Sequence, residues 1–195
     1  MDADVARLLR EAAENLETIS RSSYPAAVER TLDVLEEAFR GGRTLLVFGN
    51  GGSAADAQHV CAELVGRFLL ERRPLPAVAL TTNQALLTAW SNDYRFDDVF
   101  ARQIEGLGRP GDIAWGISTS GNSANVVNGL SRARELGLKT IGLTGADGGR
   151  VAEHCDVLMA VPLRHTPRIQ EVHLVTCHAI CGALEQRLFG ISSGS

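Results

Sequence analysis

Apolar residues recur at helical spacing at the start of the chain, at Val5, Leu8, Leu9, Ala12, Leu16 and Ile19. They recur again at Val28, Leu32, Leu35 and Phe39, after a Tyr24-Pro25 break. A period near 3.6 predicts two amphipathic helices, the first over residues 2–20 and the second closed by Gly41-Gly42. From residue 45 the pattern changes to short, continuous apolar runs at 45–48 (LLVF), 77–80 (AVAL), 112–117 (DIAWGI), 139–144 (KTIGLT) and 157–161 (VLMAV). Runs of this length without alternation predict strands buried on both faces. Helical stretches separate them, starting at Ser53 and covering 84–90, 98–107, a stretch ending near Leu136, and 167–188. The closely spaced prolines of Arg72-Arg73-Pro74-Leu75-Pro76 make that segment a loop. Alternating strands and helices predict an α/β fold, a five-stranded, mainly parallel sheet in a Rossmann-like three-layer sandwich, preceded by two N-terminal helices. One domain is expected over residues 1–190, with 1–40 a helical pair used in oligomer packing and 191–195 a disordered tail.

Two strand-to-helix turns stand out from this frame. Gly49-Asn50-Gly51-Gly52 follows the first strand, where glycines permit positive φ and bring backbone N–H groups toward a ligand. Ser53 is expected to begin the helix, with Asp56 three residues on as a weak capping box. On that helix His59 and Glu63 are four apart and share a face, which makes them a candidate acid/base pair. The second turn, 118–123, follows the third strand and supplies four hydroxyls, from Ser118, Thr119, Ser120 and Ser123. One cap needs one hydroxyl, so a cluster of four favours an anion such as phosphate. Ligands in doubly wound sheets sit beyond the carboxyl ends of the strands, so both turns open on the same edge.

The first turn also fits the loose dinucleotide pattern G-x-G-x-x-A ending at Ala54. That reading requires an acidic residue after the next strand, where this chain has Thr81-Thr82-Asn83, and NAD is therefore not expected. Composition narrows the picture further. A net charge of −4 offers no basic footprint for nucleic acid. No apolar run approaches a membrane span, and Met1, Asp2, Ala3 and Asp4 lack the layout of a signal peptide, so a cytoplasmic protein is expected. Cys61, Cys155, Cys177 and Cys181 show no zinc-ribbon spacing and are expected as reduced thiols.

Taken together, Gly49-Asn50-Gly51-Gly52-Ser53, Gln58-His59 with Glu63 and Arg67, Asn92-Asp93, the run from Gly116 through Ser118 to Ser123, and Arg168-Ile169-Gln170-Glu171 with His178 resemble the bacterial phosphoheptose isomerases. That family carries the sugar-isomerase (SIS) domain. The resemblance covers nearly the whole chain and implies an intramolecular oxidoreductase, an aldose–ketose isomerase in a homotetramer with one zinc per active site. The implied reaction interconverts D-sedoheptulose 7-phosphate and D-glycero-D-manno-heptose 7-phosphate, which opens heptose biosynthesis for lipopolysaccharide or other glycans. It also implies that Asn50, Gly51, Gly52, Ser53, Glu63, Asn92, Asp93, Ser118, Thr119, Ser120, Ser123 and Gln170 bind substrate. The implied metal ligands are His59, Glu63, Gln170 and His178.

Shifting a carbonyl between C2 and C1 requires a base for a carbon-bound proton and a second group that moves protons between oxygens. Glu63 is expected in the first role and His178 in the second. Gln170 and His178, on one straight helix, would stand about 12 Å apart along its axis. The metal site is therefore expected to draw on more than one subunit, unless the helix begins irregularly near Gln170. Two other readings remain: a non-catalytic SIS protein that joins the replication initiator, and an isomerase of another sugar phosphate. The presence of both Glu63 and His178 favours the enzyme.

Overall fold

The structure, a computed structural model, describes residues 4–190. Helix α1 (Val5–Ser20) is opened by Asp4, whose side chain accepts the Arg7 N–H at 3.1 Å. Helix α2 (Tyr24–Arg40) carries Pro25 in its first turn, where a missing N–H costs nothing. The two helices differ in what they bury. Tyr24, Ala27, Leu32, Leu35, Ala38 and Phe39 of α2 lie in the core against the last helix, whereas α1 buries only Ile19 and leaves Val5, Leu8 and Leu9 exposed. The apolar stripe of α2 is thus satisfied within its own chain. The tail expected at 191–195 lies outside the described residues.

The five strands are β1 (Leu45–Gly49), β2 (Ala77–Ala79), β3 (Ile113–Ser118), β4 (Lys139–Thr144) and β5 (Val157–Ala160). Between them run α3 (Gly52–Val65), α4 (Gln84–Asp93), α5 (Val99–Leu107) and α6 (Ala124–Glu135), and α7 (Thr166–Phe189) closes the chain. Short 3-10 turns occupy Phe96–Asp98 and Gly149–His154. Every pairing is parallel, in the order β2-β1-β3-β4-β5, so the expectation of a mainly parallel sheet becomes a fully parallel one. The third strand begins at Ile113 rather than Asp112 because Asp112 turns its carboxylate onto the N–H groups of Thr44 and Arg109, both at 2.9 Å.

Side chains alternate across the sheet and define two cores. Leu45, Val47, Trp115, Ile117, Ile141 and Leu143 pack under α2, α3 and α7. Leu46, Phe48 and Ala114 pack on the opposite face with Val99, Phe100 and Ile104 of α5 and Val126, Val127 and Leu130 of α6. All five residues of β1 are buried, as a central strand covered on both faces must be. From β1 the chain passes to β2 on one side, and β3 then takes up the other. The crevice between the carboxyl ends of β1 and β3 is the topological switch point, and both unusual turns flank it.

Candidate active site

The first turn closes two residues earlier than the capping-box pattern suggests. Gly51, at φ 56°, is the N-cap of α3, a backbone region open chiefly to glycine, and no side chain caps the helix. Ser53 is instead buried at 4% exposure, with its N–H on the Asn50 carbonyl. The Asn50 amide reaches across to Asn125 in the first turn of α6, giving and accepting one hydrogen bond, at 2.8 and 2.9 Å. Gln170 lies over the same turn, and a Cβ placed on Gly52 would stand 2.5 Å from its Nε2. Beside it, Ala55, Asp56, Pro167, Glu171 and Leu174 line an open cleft of about 370 Å³. Burial raises the Asp56 carboxyl above the usual range, and the nearby His59 partly offsets this.

The serine turn is tied down at several points. Ser118 Oγ and Ser123 Oγ are 3.0 Å apart, and the Thr119 carbonyl accepts the Gly145 N–H. Ser120 Oγ accepts the Asn122 N–H, and the Asn122 carbonyl oxygen of the side chain accepts the Arg150 N–H. Gly121, at φ 64°, sits directly on Gly148, where no Cβ could fit. Ser120 is exposed and Thr119 half-buried at the mouth of the turn.

A separate cluster forms where α3 and α7 run side by side in the same direction. His59 Nε2 of α3 lies 2.8 Å from His178 Nε2 of α7, with ring centroids 5.0 Å apart. Glu63, one turn further along α3, places Oε1 3.5 Å from His59 Nε2. The Phe68 ring also packs near His178, centroid to centroid 5.6 Å. The structure therefore joins His59, Glu63 and His178 within one chain. Gln170 stays apart, since α7 is a continuous α-helix from Thr166 and the irregular start offered as an alternative is absent. Asn92 and Asp93 lie exposed at the end of α4, hydrogen-bonded to each other at 2.9 Å.

Two imidazoles and a carboxylate are donors that zinc accepts, so this cluster fits such an ion by ligand type. Among the described residues, no three or more His, Cys, Asp or Glu side chains close into a metal-holding group. The neighbouring thiols are held in the protonated form. Burial pushes Cys61 and Cys181 up to about 12, and Cys177 well above its ordinary value. His173, which the sequence leaves without a role, is fully buried, and its Nε2 donates to the Thr144 carbonyl at 3.1 Å.

Four residues at or beside the site have no motif of their own: Asn125, Phe68, and the pair Arg72 and Glu185, 2.9 Å apart, of which Arg72 also donates to the Glu63 carbonyl. A signal for two of them is present in the pattern. Asn125 is a polar residue among the apolar positions of α6, and Glu185 interrupts the stripe Cys177, Cys181, Leu184 on α7. Phe68 and Arg72 sit in a loop, where periodicity has nothing to report.

The SIS domain family matches residues 8–145. A phosphoheptose isomerase of Crocosphaera subtropica is 54% identical over 174 residues, covering 89% of each chain. Among solved structures, phosphoheptose isomerase GmhA from Neisseria gonorrhoeae superposes with a TM-score of 0.88 at 41% identity, covering 93% of this chain and 97% of that one. A phosphoheptose isomerase from Francisella tularensis gives 0.89 at 33% identity, covering 93% and 96%. Among the described residues, no helix is long and apolar enough to cross a membrane.

Proposed function

The chain belongs to the phosphoheptose isomerase family of SIS-domain proteins and is a sugar-phosphate isomerase, and from that premise we propose that it interconverts D-sedoheptulose 7-phosphate and D-glycero-D-manno-heptose 7-phosphate through an enediolate. The observation that supports this reading best is the meeting of His59, Glu63 and His178 across α3 and α7. A carboxylate and an imidazole side by side supply the two kinds of proton transfer that a carbonyl shift needs. Glu63 takes the proton from C1 of the ketose and returns it to C2. The electron pair of the broken C–H bond forms the enediolate double bond and then the new C–H bond. His178 moves the hydroxyl proton from O1 to O2 as the carbonyl passes the other way. The half-buried setting of Glu63 strengthens these electrostatic interactions relative to water.

The phosphate end belongs to Ser118, Thr119, Ser120 and Ser123 with the N–H groups at the start of α6, an anion site of the kind helix N-termini provide. Gly51 and Gly52 bring backbone to the sugar, and Asn92, Asp93 and Gln170 take part in holding it. His59, Glu63 and His178 would hold a zinc ion, joined by Gln170 of the partner subunit. Such an ion, when bound, supplies Lewis-acid polarisation of the carbonyl and neutralises developing negative charge.

The site is shared between copies in this reading. Gly52 opens α3 at the carboxyl edge, and Glu63 stands eleven residues further on, about 16 Å of helix rise away. The turns of one chain and the acid/base cluster of the same chain are therefore too far apart for one small sugar to meet both comfortably, and a tetramer brings the turns of one copy to the cluster of another. The exposed Val5, Leu8 and Leu9 of α1 and Leu174 and Val175 of α7 provide apolar surface for that assembly. Incubating purified protein with sedoheptulose 7-phosphate, and in parallel with pentose and hexose phosphates, tests the assignment. Aldoheptose phosphate should form, and turnover confined to a shorter sugar would replace this reading with that of a different isomerase.

A further inference from the structure

The loop that leaves α3 is held by a buried ion pair that no motif marks. Arg72 and Glu185 have side chains 1% exposed, with Nε and Oε1 2.9 Å apart. The Glu185 carboxylate also accepts three successive backbone N–H groups, from Phe68, Leu69 and Leu70, each at 2.8 Å. The Arg72 guanidinium donates to carbonyls at the end of α3, to Leu64 at 2.7 Å and to Glu63 itself at 2.8 Å. A buried ion pair is weak support for stability, because desolvating both charges costs about what their attraction returns. Here each partner is instead fully bonded to backbone beside the acid/base cluster. The carboxylate fixes Phe68, whose ring lies on His178. Gly182 leaves room for that ring, a Cβ there standing 3.3 Å from its edge.

We propose that Arg72 and Glu185 are positioning residues for the isomerisation: through the Glu63 carbonyl and the Phe68 ring they hold the carboxylate on α3 and the imidazole on α7 at a fixed separation. The proposal rests on the roles given above to Glu63 and His178. It differs from a purely structural role in what it affects. A small displacement of reacting groups lowers turnover without weakening a phosphate-anchored substrate.

The test uses the full-length protein and the variants Arg72→Lys, Phe68→Leu and Phe68→Tyr. Lysine keeps the charge but cannot fork onto two carbonyls. Leucine removes the ring and leaves the ion pair intact, so if Arg72→Lys does not fold it still tests the ring through which the pair is proposed to act. In folded Arg72→Lys and Phe68→Leu protein, kcat should fall roughly 10- to 100-fold with KM little changed. Phe68→Tyr, which restores the ring, should recover most of the loss. In protein labelled with 15N at histidine, the His178 signal should move in both damaging variants while that of His154 does not. Wild-type kcat, or an unmoved His178 signal, in folded variants overturns the proposal. A wild-type protein without isomerase activity would defeat the assigned reaction, and the His178 signal would still decide whether the pair positions the imidazole.

Discussion

Asn50 and Asn125 hold each other by two amide–amide hydrogen bonds, 2.8 and 2.9 Å long, across 75 residues of sequence. This joins the glycine turn after β1 to the first turn of α6, and so sets the distance between the two turns at the switch point. The Asn50 side chain is engaged within the chain, and what its turn presents toward the crevice is backbone. Asn125→Ala leaves the Asn50 amide without its partner and should cost about 1–2 kcal/mol of stability, read by urea unfolding. It should also raise KM for the sugar phosphate, because the two turns lose their common brace.

Glu63→Gln keeps the size of the side chain and removes its basicity. Turnover should drop roughly 100- to 10,000-fold, the usual contribution of a general base, with the assembly unchanged by size-exclusion chromatography. Unchanged turnover would take Glu63 out of the mechanism.

Glu63 and His178 sit around His59 in the same chain, so mixing Glu63→Ala chains with His178→Ala chains should restore nothing if the cluster works as a unit. The informative mixture pairs Glu63→Gln chains with Ser120→Asp chains. Ser120 is exposed, and a carboxylate there repels phosphate without disturbing the fold. Each variant alone should be inactive, and co-assembled chains should regain turnover where an intact turn faces an intact cluster. Persistent inactivity after subunit exchange would place the whole site in one chain.

Zinc at His59, Glu63 and His178 is a proposal with a direct test: chelation should lower activity that added zinc restores. His59→Ala should reduce the metal content of purified protein as measured by mass spectrometry. Equal metal content in the variant and the parent would exclude this site.

The stability of the fold should depend on pH through His173. Burial lowers its value from 6.5 to about 4, opposed in part by its bond to the Thr144 carbonyl. Between those values the unfolded chain binds a proton that the folded chain refuses, so stability falls as the pH drops from about 6.5 toward 4. A shift of this size corresponds to on the order of 3 kcal/mol. His173→Gln keeps an N–H donor and does not titrate, and its melting temperature should vary less over this range than that of the parent protein.

Local pattern made most of the architecture legible. The strand expected at residues 139–144 is β4 (Lys139–Thr144) to the residue, and the helix expected over 167–188 is α7 with one residue more at each end. These elements are governed by periodicity, which a linear sequence carries in full. The cap expected at Ser53 was displaced because a positive φ at Gly51 closes the turn first, and φ is a property of the folded backbone. The apolar face of α2 also depends on a contact that linear pattern does not show. α2 found its partner in α7, at the far end of the chain.

What the sequence by itself determined, then, is which residues share a face and which turns follow which strands. The i, i+4 spacing of His59 and Glu63 is intrinsic to one helix, and the glycine and serine turns are intrinsic to their strand ends. Only the tertiary structure decided that His178 meets His59 across 119 residues, that Asn125 braces Asn50, that Gln170 rests on Gly52, and that Glu185 gathers the loop carrying Phe68. Spacing along a chain specifies direction relative to a helix axis, whereas contact between two helices depends on how their apolar faces pack on a common sheet, and that packing is a property of the whole core.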